Sequence, residues 1–386
     1  MTLDIRPVTE DDHDQLKALL IEAFGTMNTG ENWDGLTRPG QTRWGTFVDG
    51  RLAATINHRE FTSWFRGVEV PTAGVTGVSI ATEFRGQRLL GPLMDELVRH
   101  ARSRGEHIAT LFATATGIYR ARGFARIVQV ANVHLPVASL SRIRGSLGLR
   151  RATEADRQLL DDLYTQWARR YDGPLTRRGE VFARPHPQLK DVHGISVVEG
   201  DDGPRGYVAW KRGASADWAD SVIEVPELVA LDDEAARTAL AAIASFDSVA
   251  SRVRLYTPGD VDPLRWLLPQ NAWFPLADAE PYMLRVLDPT GLAVLPAPLG
   301  VSATLPFTVD GEGWVAHVAD GRIDVERDAA ARGREFAPGG LAVTFAGALP
   351  SRGQRAVGLL SGDDRDDDLW DLVFTSGRQL AIRDSF

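Results

Sequence analysis

The sequence predicts an α+β protein built on a mixed sheet, present in two tandem copies and followed by a smaller β-rich segment. Three observations support this: an internal repeat near residue 150, clear strand and helix patterns in the first copy, and a proline- and glycine-rich stretch at residues 289–300. The chain of 386 residues is long enough for two or three domains, each with its own core.

The repeat relates residues 3–12 (LDIRPVTEDD) to residues 147–156 (LGLRRATEAD). Five identities keep a spacing of 144 residues, in which Leu3, Arg6, Thr9, Glu10 and Asp12 match Leu147, Arg150, Thr153, Glu154 and Asp156. Each segment has the pattern of a short strand, a threonine cap with acids behind it, and an amphipathic helix. We therefore predict a duplicated domain with copies at 1–145 and 146–288, and a third domain at 289–386.

Patterns in the first copy place its elements. Residues 42–48 and 52–57 flank an Asp-Gly turn and predict a hairpin. Residues 75–81 predict a central strand, and apolar residues at helical spacing over 89–101 predict a long helix that ends before Gly105. Strands at 108–114 and 124–130, with a short helix at 118–122 between them, complete the copy.

The second copy has a predicted strand at 224–231 and a predicted helix in DDEAARTALAAI, residues 232–243. Acids stand before this helix, where the first copy has Arg85, Gly86, Gln87 and Arg88. Acids at a helix start suit the helix dipole but repel a phosphate. We therefore do not expect the second copy to bind what the first copy binds.

The third segment alternates like strands in FTVD, WVAHVADGRIDVERD and LAVTFAG, and its ADGR predicts a hairpin turn. The acidic run at residues 363–368 predicts a solvated loop.

Composition excludes several classes of function. The absence of cysteine excludes disulfides, thiolate metal sites and a cysteine nucleophile, and it fits a reducing, cytoplasmic compartment. The N-terminus is acidic where a signal peptide needs an apolar run, and no apolar stretch is long enough for a membrane span. A net charge of −9 without a basic stripe argues against nucleic acid and for a cationic small molecule or peptide. Scattered histidines argue against a metal site.

The stretch EFRGQRLL, residues 83–90, stands directly before the long helix of the first copy. Arginine side chains and free backbone N–H groups at a helix start suit an anion, above all a phosphate. A merely soluble turn is the alternative interpretation.

A strand, this turn, a long helix, a second strand and a tyrosine on a short helix together resemble the GNAT superfamily of acyl-CoA-dependent N-acetyltransferases. PTAGVTGVSIATEFRGQRLLGPLMDEL and ATATGIYRARGFARI resemble its enhanced intracellular survival (Eis) family more closely. That resemblance implies two tandem GNAT-like domains, a sterol-carrier-protein-like C-terminal domain and a homohexamer. The turn departs from the family pattern, since Gly86 and Gln87 replace two arginines and Arg88 replaces a glycine.

The resemblance implies a site for acetyl-CoA as co-substrate. Backbone groups of Val78 and Ile80 would pair with the pantetheine arm, and Thr114 would lie near CoA. The pyrophosphate would be held by the turn, which comprises Arg85, Gly86, Gln87, Arg88, Leu89 and Leu90.

The resemblance also implies the catalytic groups. Tyr119 would be the general acid for the leaving thiolate, since a thiol has a reference pKa near 8.5 and tyrosine one near 10. The C-terminal carboxylate of Phe386 would reach back into the first domain as general base. A tyrosine bonded to backbone and a frayed chain end are the respective alternatives. Candidate substrate residues are Trp33 and Glu31 in TMNTGENWDG, and Asp384 as an acid for a cationic substrate.

The sequence therefore predicts an N-acetyltransferase that acts on a primary amine of an aminoglycoside-like, polyamine-like or lysine-bearing acceptor. Transfer is direct and needs no metal. Two other functions remain open: a non-catalytic acyl-CoA or ligand-binding module with a decayed site, and a structural protein built from decayed domains.

Overall fold

The computed structural model describes residues 3–25, 39–182, 191–213, 217, 220–268, 274–275 and 279–386. Within them, thirteen strands form one sheet in the order β1-β2-β3-β4-β5-β13-β6-β11-β10-β9-β8-β7, with β12 also paired to β6. These strands are β1 Leu3–Pro7, β2 Gln41–Val48, β3 Arg51–Phe65, β4 Val68–Ile80, β5 Ile108–Phe112, β6 Ala125–Pro136, β7 Gly148–Arg151, β8 Gly194–Gly200, β9 Gly203–Arg212, β10 Val222–Ala230, β11 Arg252–Thr257, β12 Phe274–Pro275 and β13 Glu280–Val286.

A second sheet has the order β16-β15-β14-β17-β18. Its strands are β14 Ala303–Val309, β15 Glu312–Ala319, β16 Arg322–Arg327, β17 Arg334–Phe336 and β18 Leu360–Gly362. The α-helices of the described residues are α1 His13–Phe24, α2 Leu90–Ser103, α3 Thr116–Arg120, α4 Arg157–Ala168, α5 Asp233–Ala244, α6 Gly340–Ala346, α7 Ser351–Ala356 and α8 Asp367–Phe374. None of the helices in the described residues is both long and apolar enough to cross a membrane.

The local predictions for the first copy are confirmed. β2 and β3 form the hairpin around Asp49 and Gly50, whose φ angles of 48° and 82° suit a tight turn. α2 ends before Gly105, which has a φ of 76°. Its apolar face packs against β2 and β3, and its Leu93 and Leu97 are both fully buried. β4 is longer than predicted and begins at Val68.

The internal repeat is visible as a repeated geometry. Arg6 donates two hydrogen bonds to the Asp12 carboxylate, at 2.7 and 2.8 Å, and Arg150 donates two to Asp156, at 2.9 and 2.7 Å. In both copies the aspartate also accepts the backbone N–H of the capping threonine at 2.8 Å. One sequence pattern therefore fixes the entry into α1 and into α4 in the same way.

The two copies share one sheet because strands cross between them. β13 lies between β5 and β6 of the first copy and is antiparallel to both. β6 in turn pairs with β11 of the second copy. Sequence patterns alone did not predict this exchange.

In the second copy, acids satisfy the start of α5, as predicted. The Asp232 carboxylate accepts the backbone N–H of Ala235 at 2.9 Å. Glu234 accepts hydrogen bonds from the backbone and hydroxyl of Ser146. This helix start is closed by protein groups and acidic charge.

Two predictions for the third segment need correction. LAVTFAG is not a strand, because residues 340–346 form α6 and all of them are buried. A segment buried on every side has no periodicity that separates helix from strand. The acidic run is mostly exposed, as predicted, but Asp367 begins α8 and forms ion pairs with Arg334 and Arg355. The ADGR hairpin between β15 and β16 is confirmed.

We expect Asp12→Ala to lower the free energy of unfolding by about 2 kcal/mol, because it removes a capping acceptor and a charged hydrogen-bond partner. The hydrogen bond from Arg6 is the main cause that lowers the pKa of Asp12 to about 2, against burial, which raises it. An unfolded aspartate titrates near 3.9. The stabilisation is therefore complete above about pH 4 and is lost as the pH falls towards 2.

Urea unfolding of the wild type and Asp12→Ala at pH 7 and at pH 3 measures this. The difference in free energy of unfolding between the wild type and Asp12→Ala should be smaller at pH 3 than at pH 7. Asp11→Ala is the matched control, because Asp11 is exposed and its loss should cost less than about 0.5 kcal/mol. Equal effects of the two substitutions would contradict the assignment.

Candidate active site

A cleft opens in the first copy where two parallel strands separate. β4 pairs with β5 only over Thr72–Gly74, opposite Ile108–Thr110. β4 continues to Ile80 with β3 as its partner on the other side. The half of β4 beyond Gly74 therefore has a backbone edge that β5 does not pair with.

The predicted pantetheine-binding residues lie on this edge. Ala81 donates its backbone N–H to Ala53 on β3 at 2.8 Å. Successive residues of a strand turn their backbone groups to opposite sides, so Ile80 directs its groups away from β3 and into the cleft. The Ile80 carbonyl accepts a hydrogen bond from Arg85 Nε at 3.4 Å. Val78 stands two residues earlier, beside a bulge where Gly77 has a φ of 58°.

The turn at residues 85–90 begins five residues beyond Ile80. Residues 85–88 are exposed, whereas Leu89 and Leu90 are buried in the core that also holds Tyr119. Arg85 and Gln87 close the turn by donating their backbone N–H groups to Thr82 and Phe84. Among the described residues, no acceptor is found for the backbone N–H groups of Gly86, Arg88 and Leu89. The turn therefore offers free N–H groups and two arginines at the start of α2.

Tyr119 is placed at the far side of the cleft by β5 and α3. Exposed Thr114 follows the end of β5, and Tyr119 lies on α3 with 8% of its surface exposed. The Tyr119 ring packs edge-on against Phe124, with 5.9 Å between centroids. Burial raises the pKa of the Tyr119 phenol, so the phenol is protonated at neutral pH.

The end of the chain is not frayed. Residues 381–384 are buried, and the ring of Phe386 lies 4.7 Å from Phe61, 5.4 Å from Phe112 and 6.2 Å from Tyr282, measured between centroids. These three residues lie on β3, β5 and β13. The structure therefore brings Phe386 to the same strand, β5, that leads into Thr114 and Tyr119.

Asp384 is engaged by protein groups. Its side chain is 4% exposed and accepts hydrogen bonds from Arg177 Nε at 2.9 Å and from the Tyr164 hydroxyl at 3.0 Å. Arg177 also pairs with Glu227. The predicted contact of Asp384 with a cationic substrate stays a prediction. Trp33 and Glu31, the other predicted substrate residues, lie outside the described residues.

Sequence reasoning missed Arg177, Glu227 and Tyr164. Only Glu227 had a signal, since it is one of two acids, with Glu224, in the apolar strand VIEVPELVA. A charged residue inside a buried strand implies a partner of opposite charge. Nothing near Arg177 in the sequence identifies it as that partner.

A cavity of about 290 Å³ lies beside the end of the chain. Its lining residues come from β6, β10, β11 and the C-terminal segment, and they are Asn132, Glu224, Pro226, Arg254, Tyr256 and Ser385. In the part of the chain that the structure describes, no group of three or more metal-binding side chains is found.

Comparison with known proteins identifies both copies. Residues 4–127 match a family model described as an acetyltransferase (GNAT) domain, and residues 173–286 match a second model of the same description. A curated "uncharacterized N-acetyltransferase" from Streptomyces avermitilis is 31% identical over 129 residues. That match covers 32% of this chain and 31% of the relative, so it spans about a third of each protein.

Solved structures match over the whole chain. A GCN5-related N-acetyltransferase from Anabaena variabilis has a TM-score of 0.88 at 21% identity, and Eis1 from Mycobacterium abscessus has 0.78 at 21%, each with 100% of both chains covered. A GCN5-related N-acetyltransferase from Kribbella flavida has 0.80 at 24%, covering 100% of this chain and 98% of that one. At these identities the likeness shows the fold. With two GNAT domain matches that together cover more than half of its length, the chain belongs to the GNAT acetyltransferase family, as its sequence predicted, and its fold is similar to that of Eis1.

Proposed function

We propose that the chain is an acetyl-CoA-dependent N-acetyltransferase that acts on a primary amine. The observation that carries this proposal is the cleft itself, which has an unpaired β4 edge, an arginine-bearing turn at the end of that edge, and Tyr119 beyond β5. The acceptor is an aminoglycoside-like, polyamine-like or lysine-bearing molecule. A chain with a net charge of −9 suits such a cation.

The residues of the cleft fit acetyl-CoA. The backbone groups of Val78 and Ile80 add the amide-bearing pantetheine arm to the sheet like a further strand. The free N–H groups at the start of α2, with Arg85 and Arg88, neutralise the pyrophosphate. Thr114 stands near the other wall of the cleft.

Tyr119 acts as the general acid. The amine nitrogen attacks the thioester carbon, and the tetrahedral intermediate collapses by breaking the carbon–sulfur bond. The phenol of Tyr119 gives its proton to the departing thiolate, and the proton that the attacking nitrogen loses on becoming an amide returns through solvent to the Tyr119 phenolate. Because burial keeps this phenol protonated, it is ready to act at neutral pH.

The carboxylate of Phe386 acts as the general base. An alkylamine is an ammonium ion at neutral pH and must lose a proton before it can attack. The carboxylate takes that proton directly or through a water molecule. The rings of Phe61, Phe112 and Tyr282 fix the position of Phe386.

Arg88 replaces the glycine of the family turn, and this replacement strains the backbone. Arg88 has a φ of 61°, in the left-handed region where a glycine is unstrained and other residues lose about 1–2 kcal/mol. A non-catalytic acyl-CoA-binding module is the second candidate, because this departure stands at the phosphate-binding position. The domain boundaries at 145 and 288, the sterol-carrier-like identity of the third domain, the hexamer and the cytoplasmic location remain predictions from the sequence.

We expect Arg88→Gly to raise the free energy of unfolding by about 0.5–1 kcal/mol, since it relieves the left-handed conformation but adds flexibility to the unfolded chain. Gly86→Ala is the reverse change, because it adds a side chain at a residue with a φ of 81°. The added Cβ would meet no atom within 4 Å. Its cost of about 1 kcal/mol is therefore that of the backbone alone. Denaturant unfolding measures both, and destabilisation by Arg88→Gly would disprove the strain.

We expect Arg85→Ala to weaken the binding of acetyl-CoA and of CoA about tenfold or more, because it removes a charge-assisted contact to the pyrophosphate. Calorimetric titration measures this. Arg352→Ala is a control on an arginine of the third segment and should leave the affinity unchanged. Failure of the wild type to bind either ligand would reject both the enzyme and the binding module.

We expect Tyr119→Phe to lower kcat about a hundredfold or more, the usual contribution of a general acid, with little change in the affinity for acetyl-CoA. Release of CoA thiol with spermidine, lysine amide or an aminoglycoside as acceptor measures kcat. The unfolding curve and the CoA affinity serve as controls for packing. Full turnover in Tyr119→Phe would show that another group protonates the thiolate.

A further inference from the structure

The second copy has an opening like the cleft of the first. β10 and β11 are parallel and pair only over Val222–Val225, opposite Arg252–Leu255. β10 then continues to Ala230, as β4 continues beyond its last pair with β5. In a working acetyltransferase domain this is the place of the acyl-CoA arm.

Residues 379–386, here called the tail, lie at this second opening. Ile382 donates its backbone N–H to the carbonyl of Pro258, the residue after β11, at 2.7 Å. Gly259 leaves room for the tail, since a Cβ there would stand 2.7 Å from the Leu380 carbonyl oxygen. On the other side, Asp384 joins Glu227, in the continuing half of β10, through Arg177. The tail therefore runs between the two separated strands.

A buried charge cluster holds the tail there. Arg177 binds Glu227 through both terminal nitrogens, at 3.0 and 2.6 Å, and its Nε binds Asp384. The guanidinium lies 3.5 Å from the ring centre of Tyr164, and the side chains of Arg177, Glu227 and Asp384 are at most 7% exposed. Tyr207 adds a hydrogen bond to Glu227. Since an unpaired buried charge is very unfavourable, each of the two carboxylates depends on Arg177 for its burial.

The backbone of Arg177 is itself held in an uncommon conformation. Its φ is 55°, in the left-handed region that arginine seldom adopts. Such a conformation persists only where the surroundings determine it, and it often marks a functional position. Here it directs the guanidinium to Asp384 and Glu227 together.

The segment that carries Arg177 also joins the tail to the first copy. Leu175 forms a bridge with Ser63 on β3, and Thr176 donates its backbone N–H to Thr62 at 2.8 Å. At the other end of this segment, Asp172 forms a parallel bridge with Leu380. Residues 172–176 therefore link the tail to β3, the strand whose Phe61 contacts Phe386.

We propose that Arg177, Glu227 and Asp384 form a clamp that fixes the tail in the second opening and thereby positions Phe386 at the first cleft. Arg177 and Asp384 are positioning residues, and the Asp384 carboxylate attaches the tail to Arg177. The second copy is a holder for the tail in place of a second acyl-CoA. The catalytic consequence of the clamp rests on the base proposed above for Phe386.

Asp384→Ala tests the clamp, because it leaves Arg177 and Glu227 as a neutral pair and so preserves folding. Asp367→Ala is the control, since it removes an aspartate that is also paired with arginine, here Arg334 and Arg355, away from the tail. Carboxypeptidase A should remove Phe386 at least tenfold faster from Asp384→Ala than from the wild type or the control, below the unfolding temperature of each. Arg177→Lys keeps the positive charge but loses the guanidinium that bonds Glu227 and Asp384 together. It should release Phe386 at an intermediate rate. Equal release from all four proteins would overturn the clamp.

Kinetics with spermidine separate positioning from a general loss of structure. We expect Asp384→Ala to lower kcat about tenfold at pH 7 with KM for acetyl-CoA unchanged within about twofold. The deficit should shrink near pH 10, where the amine loses its proton without help. An equal deficit at both pH values would mean that the tail does not position a base, and would overturn that part of the proposal.

A chain extended by two glycines after Phe386 distinguishes the two proposals. Full turnover by the extended chain would reject Phe386 as the base, while the carboxypeptidase result would still decide the clamp. The opposite result is loss of turnover in the extended chain, while Asp384→Ala releases Phe386 slowly and keeps a normal kcat. That result would reject the clamp and keep Phe386 as the base.

Discussion

The arrangement of the molecule depends on the antiparallel pairing of β13 with both β5 and β6. Backbone hydrogen bonds on both edges of this strand hold β5 from the side opposite β4. β5 therefore needs only three residue pairs with β4, and the two parallel strands can separate. The same strand carries Tyr282 to the ring of Phe386 and leads directly into the third segment. The cleft and the contact with the tail therefore both depend on the inserted strand β13.

Much of the local structure could be predicted because its signals are local. The Asp-Gly turn at residues 49–50, the apolar stripe of α2 and the repeated Arg–Asp cap each lie within a few residues of sequence. The turn before α2 was also found this way, since Arg85 and Gly86 stand beside the helix they precede. The backbone conformation of this turn could not be predicted, because no sequence signal marks Arg88 as left-handed.

The rest depends on contacts between distant residues. The place of β13 is set by pairing with strands more than 140 residues earlier, and no pattern within 280–286 specifies its partners. The burial of Asp384 has no local signal, because it depends on Arg177 and Tyr164, both about 200 residues away. The strand prediction for residues 341–347 was wrong for another reason. Complete burial removes the periodicity on which helix and strand predictions rest.

The occupied opening of the second copy has a consequence for stoichiometry. A segment tethered to its own binding site has an effective concentration on the order of millimolar, which a dissolved competitor must exceed to displace it. With the tail clamped there as proposed, we expect a chain with two GNAT domains to saturate with acyl-CoA as a single-site protein. In the proposed clamp, the second copy is a receptor for part of its own chain in place of a diffusing molecule.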